Sequence, residues 1–246
     1  LLRENGDAVP CDTETGLYAA LGLAYIPPEM REDLGEIDAA ESDHLPDLVD
    51  MENMRGILHV HTTASDGAHT LEQMAQAAHE LGAEYLGICD HSKSAVYAGG
   101  LSVEDVYAQW SEIDALNEQL DGITLLKGIE SDITSEGGLD YDDDVLSGFD
   151  FVVASVHSRL NMTEDEATER LLRAIDHPAT TILGHPTSRL LLAREGDPLD
   201  MPRIIQRCAQ RSVAIELNAS PHRLDVDWRW CRRAKEAGVP IAIHPD

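Results

Sequence analysis

A parallel α/β barrel is the fold class this chain predicts, and three observations predict it. Short apolar runs recur at 56–60, 84–89, 123–129, 150–156, 180–184, 212–217 and 239–243, several of them rich in Val and Ile. That is the composition of strands buried on both faces. Amphipathic stretches separate most of the runs, at 69–81, 102–120, 163–175, 200–211 and 227–237. Polar residues able to carry chemistry fall at the ends of the runs, where parallel-barrel enzymes build their sites. Strands alternating with helices give a parallel sheet. A closed, irregular barrel is the preferred reading, and an open doubly wound sheet is its competitor.

The elements follow in order. In residues 1–35, "TETGLYAALGLAYIPPEMRE" places Thr13 to cap a short helix through Leu21, Gly22 to end it, and Pro27-Pro28 to break the chain. This segment is too small to fold alone. Residues 36–53 are acidic and poorly patterned, with Pro46 among them, and read as a linker. From Gly56 onward the strand–helix rhythm holds. Gly82, Gly122 and Gly238 stand where helices should stop, and Ser102 and Thr163 where they should start. Thr163 and Glu166 make a capping-box pattern. The 130–150 connection breaks the rhythm, because "SEGGLDYDDDVLSGFD" reads as loop.

Composition narrows the class. The 246 residues suffice for one large α/β domain plus a fragment, and 43% hydrophobic content supports a packed core. No apolar run approaches the roughly 20 residues needed to cross a bilayer, and no signal-peptide pattern opens the chain. Because the chain does not begin with Met, it is expected to be a piece of something longer. Cys11, Cys89, Cys208 and Cys231 are scattered, with none at CxxC spacing, which argues against a cysteine zinc site and suits a reducing cytoplasm. The balance of 18 basic and 46 acidic residues gives a net charge of −28. Such a charge argues against non-specific nucleic-acid affinity. It suits a halophilic source, where salt screens carboxylate repulsion.

The strand ends carry His59 and His61, then Asp90-His91, Glu130, His157, His185, and finally His244 and Asp246. Neighbouring strands lie about 5 Å apart, so these residues converge without being close in sequence. Residues i and i+2 of a strand share a face, which lets His59 and His61 grip one ion together. Asp66 follows on a turn at Gly67. Imidazoles mixed with carboxylates favour Zn²⁺, Mn²⁺ or Fe²⁺ over Ca²⁺. So many ligands call for two or three ions, with Glu130 as a bridge. An isolated HxH is weak, and each of these residues alone has an ordinary structural reading; the joint pattern carries the inference. His44, His69, His79 and His177 fall in helices or linkers and receive no role, and His222 is left undecided. No nucleophile elbow, Cys–His pair or phosphate-cradling glycine loop appears. Metal-assisted hydrolysis of a phosphate ester is what remains. Lys93, Arg159, Arg189 and Arg223 follow site segments and are the candidate phosphate-binding cations.

"HVHTTASDG", "CDHS", "GIESDI", "SVHS" and "LGHPTSRLL" resemble the polymerase-and-histidinol-phosphatase (PHP) phosphoesterase domain over residues 54–246. "DHSKSAVYAGGLS" and "ELNASPHRLDVDW" resemble the version fused to bacterial and archaeal family X DNA polymerases, and "LYAALGLAYIPPEMRE" is similar to the end of such a polymerase's thumb. The resemblance implies a distorted (β/α)7, TIM-like barrel preceded by a helical thumb remnant, in a carboxyl-terminal fragment lacking the polymerase palm. It implies a site of up to three ions, Zn²⁺ or Mn²⁺. His59, His61, Glu130 and Asp246 would hold the first, Glu130, His157 and His185 the second, and Asp66 and His91 the third. His59, His61, Glu130 and His157 would be the catalytic core. The chain stops at Asp246, before a further His expected for the third ion, and His244 stands where a small residue is usual. The activity implied is 3′–5′ exonuclease trimming of DNA ends in gap-filling repair, with DNA 3′ ends and the polymerase part of the same parent chain as partners, no membrane, and a cytoplasmic location. The alternatives are a small-molecule phosphatase of the histidinol-phosphate type and a non-catalytic module that helps position a polymerase.

Overall fold

The structure is a computed structural model that describes residue 2 and residues 6–246, and the chain divides between Leu1–Asn53 and Met54–Asp246. Residues 1 and 3–5 of the expected thumb segment lie outside the described residues. In the first unit the Thr13 hydroxyl accepts the Gly16 N–H at 3.0 Å and starts α1 (Glu14–Ala20). The chain then leaves the helix through Gly22 at φ +75°. Arg31 ties the segment together. Its guanidinium donates to the Ile26 carbonyl at 3.0 and 2.8 Å and to Glu14 at 2.7 Å, and it lies over the rings of Tyr18 and Tyr25. The stretch expected to be a linker contains a helix, α2 (Glu36–Glu41). Its start is locked locally, by the Glu36 carboxylate accepting the Asp33 and Leu34 N–H groups at 2.9 and 2.7 Å, a signal that apolar periodicity does not carry.

The second unit runs β1 (Gly56–Val60), α3 (Leu71–Glu80), β2 (Tyr85–Ile88), α4 (Val103–Asn117), β3 (Thr124–Asp132), α5 (Asp143–Leu146), β4 (Phe151–Ser155), α6 (Glu164–Asp176), β5 (Ile182–Leu183), α7 (Met201–Arg211), β6 (Ala214–Asn218), α8 (Trp228–Glu236) and β7 (Ile241–His244). The strands stand in chain order β1 to β7, each parallel to the next. β7 returns to β1 without a hydrogen-bonded ladder, so the barrel is nearly closed and the open doubly wound alternative falls away. The rings of His59 and His244 sit 6.2 Å apart across that seam.

Local chemistry sets the helix ends. Capping boxes at Thr70/Gln73, Ser102/Asp105 and Thr163/Glu166 start α3, α4 and α6. α4 stops short of residue 120 because Asn117 pins the next strand, donating to the Leu125 carbonyl at 2.9 Å and accepting its N–H at 2.8 Å. The 130–150 connection is mostly loop, as expected, with the one-turn α5 inside it.

Two layers bury the sheet. Outside, Leu171, Leu172 and Ile175 of α6 and Ile204, Ile205 and Cys208 of α7 pack on Leu183 and Ile215. Inside, Phe151 packs with Cys89, Val153 and Ile182. Gly87 and Gly128 make room for its ring, since a Cβ at either would come within 2.5 or 2.1 Å of Phe151 Cζ. Side chains alternate along a strand, so Leu126 and Glu130 share a face, as do Ala214, Glu216 and Asn218. The apolar plug therefore gives way, toward the carboxyl ends, to a buried polar layer.

Candidate metal centre

Glu130 is the hub of that layer. It is fully buried on β3. Its Oε1 lies 2.9 Å from His185 Nε2, 3.1 Å from His157 Nε2 and 3.5 Å from His59 Nε2; its Oε2 lies 2.8 Å from His91 Nδ1 and 3.7 Å from His61 Nε2. Imidazoles from four strand ends thus surround one carboxylate. Asp246 closes the other side, with Oδ1 3.1 Å from His61 Nε2 and 3.6 Å from His59 Nε2. Asp66 lies 3.7 Å from His61 Nδ1 and 3.6 Å from His91 Nε2. Among the described residues four sets bring ligand atoms within 4.8 Å of one another: His59/His61/Asp246, His61/Asp66/His91, His91/Glu130/His157 and, behind them, His59/Glu216/His244.

The loop after β1 places Asp66. Asp90 is buried and accepts the Thr62 N–H and hydroxyl, both at 2.7 Å, the Ser65 hydroxyl, and the Gln109 amide at 2.7 Å. Gly67 allows the tight return, because a Cβ there would come within 2.4 Å of the His61 carbonyl oxygen. Asp132 accepts from His157 Nδ1 and turns that ring's Nε2 toward Glu130. These acceptors fix ring orientation from behind.

The electrostatics follow from acids and imidazoles sharing a dry space. Burial works against the charge of Glu130, but His157 and His59 outweigh it and hold the carboxyl well below its usual range. His157 is pushed the other way. Burial disfavours its charged form, yet Glu130 and Asp132 raise it to about 10. Asp246 is buried too, and the hydrogen bond to His61 and the nearby His59 keep it far below the usual carboxylate range.

These residues fit divalent ions. His59 Nε2, His61 Nδ1, His91 Nδ1 and Glu130 Oε2 are buried polar atoms without a hydrogen-bond partner among the described residues. Orphaned buried polar atoms are costly, and a cluster of lone-pair donors facing inward is a metal site's signature. A cavity of about 580 Å³ opens over them, lined by His61, Asp66, His91, Glu130, His157, His185 and Asp246, with Tyr97, His69 and Arg223 at its wall.

Of the four expected cations, the structure brings Arg223 to this cavity and not the others. Arg223 Nη1 is buried without a partner, and its Nε lies 3.4 Å from Asp246 Oδ2. Arg189 is committed elsewhere, to the Arg223 and Leu224 carbonyls and, at 2.9 Å, to Asp227. Lys93 sits over the Tyr141 ring, 5.3 Å from its centroid. Arg159 lines a separate open concavity of about 720 Å³, together with Arg173 and with Glu136, Asp165, Glu166 and Glu169. Proximity in sequence to a site segment did not decide where these long side chains go.

Sequence reasoning also passed over residues that matter here. His69, given no role, lines the cavity. Tyr97 stands at its rim, 72% exposed, close to the rings of His91 and His157. Asp132 was findable, being two residues beyond Glu130 on the same strand face. Glu216 was findable as a carboxylate within the apolar strand "AIELN", since a buried acid is rare without a partner.

A family model described as PHP domain matches residues 58–220, and one described as DNA polymerase beta thumb matches residues 1–32. The chain is 40% identical over 243 residues to the DNA polymerase/3′-5′ exonuclease PolX of Bacillus subtilis (strain 168), covering 99% of this chain and 42% of that protein. It therefore spans about two fifths of that relative's length. A probable phosphatase of Thermoanaerobacter sp. (strain X514) is 27% identical over 199 residues, 76% of each chain. Among solved structures, histidinol phosphate phosphatase from Lactococcus lactis subsp. lactis Il1403, complexed with zinc, L-histidinol and phosphate, aligns with a TM-score of 0.50 at 16% identity, over 78% of this chain and 85% of that one. That likeness is one of fold.

Proposed function

The chain belongs to the PHP domain family, and from that premise we propose that it is a metal-dependent phosphoesterase acting on DNA 3′ ends, the 3′–5′ exonuclease part of a cytoplasmic family X DNA polymerase that works in gap-filling repair. The observation that carries the hydrolytic reading is Glu130, buried and ringed by imidazoles, with His59 Nε2, His61 Nδ1 and His91 Nδ1 buried around it without a hydrogen-bond partner. The DNA reading is supported by 40% identity running through both the thumb-like segment and the barrel. The proposed organisation is a thumb end at 1–35, a linker at 36–53 and the phosphoesterase domain at 54–246.

His59, His61, Glu130 and Asp246 would hold one ion, Glu130 with His157 and His185 a second, and Asp66 with His91 a third; the donor set suits Zn²⁺ or Mn²⁺. Bound ions lower the pKa of water and neutralise charge on the phosphate undergoing attack. The chain's own residues do the rest. Arg223, on the cavity wall with a free Nη1, holds a phosphate oxygen. Asp132 keeps His157 turned inward, and Asp90 holds the loop that presents Asp66.

The test is incubation with 3′-labelled single-stranded DNA and Mn²⁺. Stepwise loss of terminal nucleotides is expected, and His59→Ala should abolish it. Probable phosphatases among the relatives favour a second reading, hydrolysis of a small phosphomonoester. Phosphate release from histidinol phosphate with no attack on DNA would establish that reading and remove the first.

A further inference from the structure

We propose that Glu216, backed by His244, is the positioning carboxylate that sets the tautomer and aim of His59. Glu216 lies on β6 and is fully buried. Its carboxylate serves three other strand segments. Oε1 is 2.6 Å from His59 Nδ1 and 3.0 Å from His244 Nδ1, and Oε2 accepts the His185 backbone N–H at 2.6 Å. An ionised carboxylate accepts and never donates, so both rings must carry hydrogen on Nδ1. In neutral His59 the lone pair is then on Nε2. That atom is buried without a hydrogen-bond partner, 3.5 Å from Glu130 Oε1 and 3.6 Å from Asp246 Oδ1. Glu216 thus turns His59 outward from the barrel core as a ready ligand, and through His185 N–H it ties the end of β5 to the same anchor.

His244 gains a role in this arrangement. It is 2% exposed, and its Nδ1 supplies a second donor to the oxygen that holds His59. A small side chain there could not reach. His244 braces the carboxylate rather than lining the site cavity.

The inference rests on the reading that divalent ions occupy this site, and not on DNA being the substrate. Its test uses the zinc-loaded chain with ¹⁵N-labelled histidine. The expected wild-type result is a slowly exchanging His59 Nδ1–H signal, assigned by its loss in His59→Ala. Glu216→Gln offers one accepting oxygen and two amide donors, so it cannot satisfy all three partners. The His59 signal should vanish or exchange rapidly, and zinc affinity measured against a chelator should fall about 10–100-fold, while circular dichroism shows a folded chain. His244→Ala should weaken zinc by less, and His244→Asn, whose amide still donates, should restore it. If Glu216→Gln does not fold, the His244 pair reads the same His59 signal. Unchanged affinity and signal in Glu216→Gln would overturn the proposal. So would loss of a whole ion from His244→Ala with the His59 signal intact, since Glu216 and His244 would then be ligands themselves. A wild-type chain that takes up no divalent ion would instead sink the metal-site reading beneath it.

Discussion

Glu130 shows how much one side chain can be asked to do. Its two oxygens face five imidazoles, and as a bridge it would serve more than one ion. Glu130→Gln keeps the shape and removes the charge. Metal content per chain, read by elemental analysis, should fall by more than one ion, and DNA cleavage by at least about a hundredfold. Full metal content and rate in that variant would refute the bridge. Arg223 makes a different prediction. Hydrogen bonds from a charged group to phosphate are worth about 1.5–3 kcal/mol, so Arg223→Ala should raise KM for DNA about tenfold or more while leaving bound metal unchanged. Steady-state kinetics beside a metal count separates the two effects. The convergence of the candidate ligands was legible because strand ends in a parallel barrel must converge, and a run ending in His or Glu announces itself. The pairing of Glu216 with His59 was not, although the acid stands out in its apolar strand, because His59 is 157 positions away and only the near-closure of the barrel brings the two together.

Elements place these residues, and two of them can be broken selectively. Inside the barrel, a methyl at Gly128 would meet the Phe151 ring. Overpacking of this kind costs about 1–3 kcal/mol, so Gly128→Ala should lower the urea midpoint, and adding Phe151→Leu should recover part of the loss. Behind the site, Asp227 caps α8 by accepting the Arg229 N–H at 3.0 Å, and also accepts from the Arg229 and Arg189 side chains. The Arg229 hydrogen bond, with help from Arg189, outweighs partial burial and depresses the carboxyl well below its usual range. A depressed carboxyl adds stability that is fully present above its unfolded pKa of about 3.9 and is lost as pH falls below it. Asp227→Asn should therefore cost about 1 kcal/mol at pH 7, the scale of a helix cap, with the difference shrinking at pH 3. Urea titrations at both pH values check the sign. Apolar runs and capping residues made these elements legible. The linker helix α2 was not, because Glu36 caps it with no apolar stripe to reveal it.

At the scale of the whole molecule the net charge of −28 dominates. It sits awkwardly beside the proposed DNA substrate, and divalent ions held in the cavity would be the local answer to that repulsion. Salt acts on the charge in two opposite ways. Screening weakens surface pairs such as Arg203–Glu169 and Arg232–Glu236, but exposed pairs are worth only about 0–1 kcal/mol each. Screening also relieves repulsion among carboxylates that no cation can match, since 46 acids face 18 bases. The surplus is larger than the set of pairs, so relief should win. The screening length falls from about 10 Å at 0.1 M to about 3 Å at 1 M, and most of the gain should arrive within that range. The melting temperature is expected to rise between 0.1 M and molar KCl, and NaCl should act alike if screening is the cause. A flat or falling melting curve would show that the acidic surface is already spaced to tolerate low salt, and the halophilic reading of the composition would be lost.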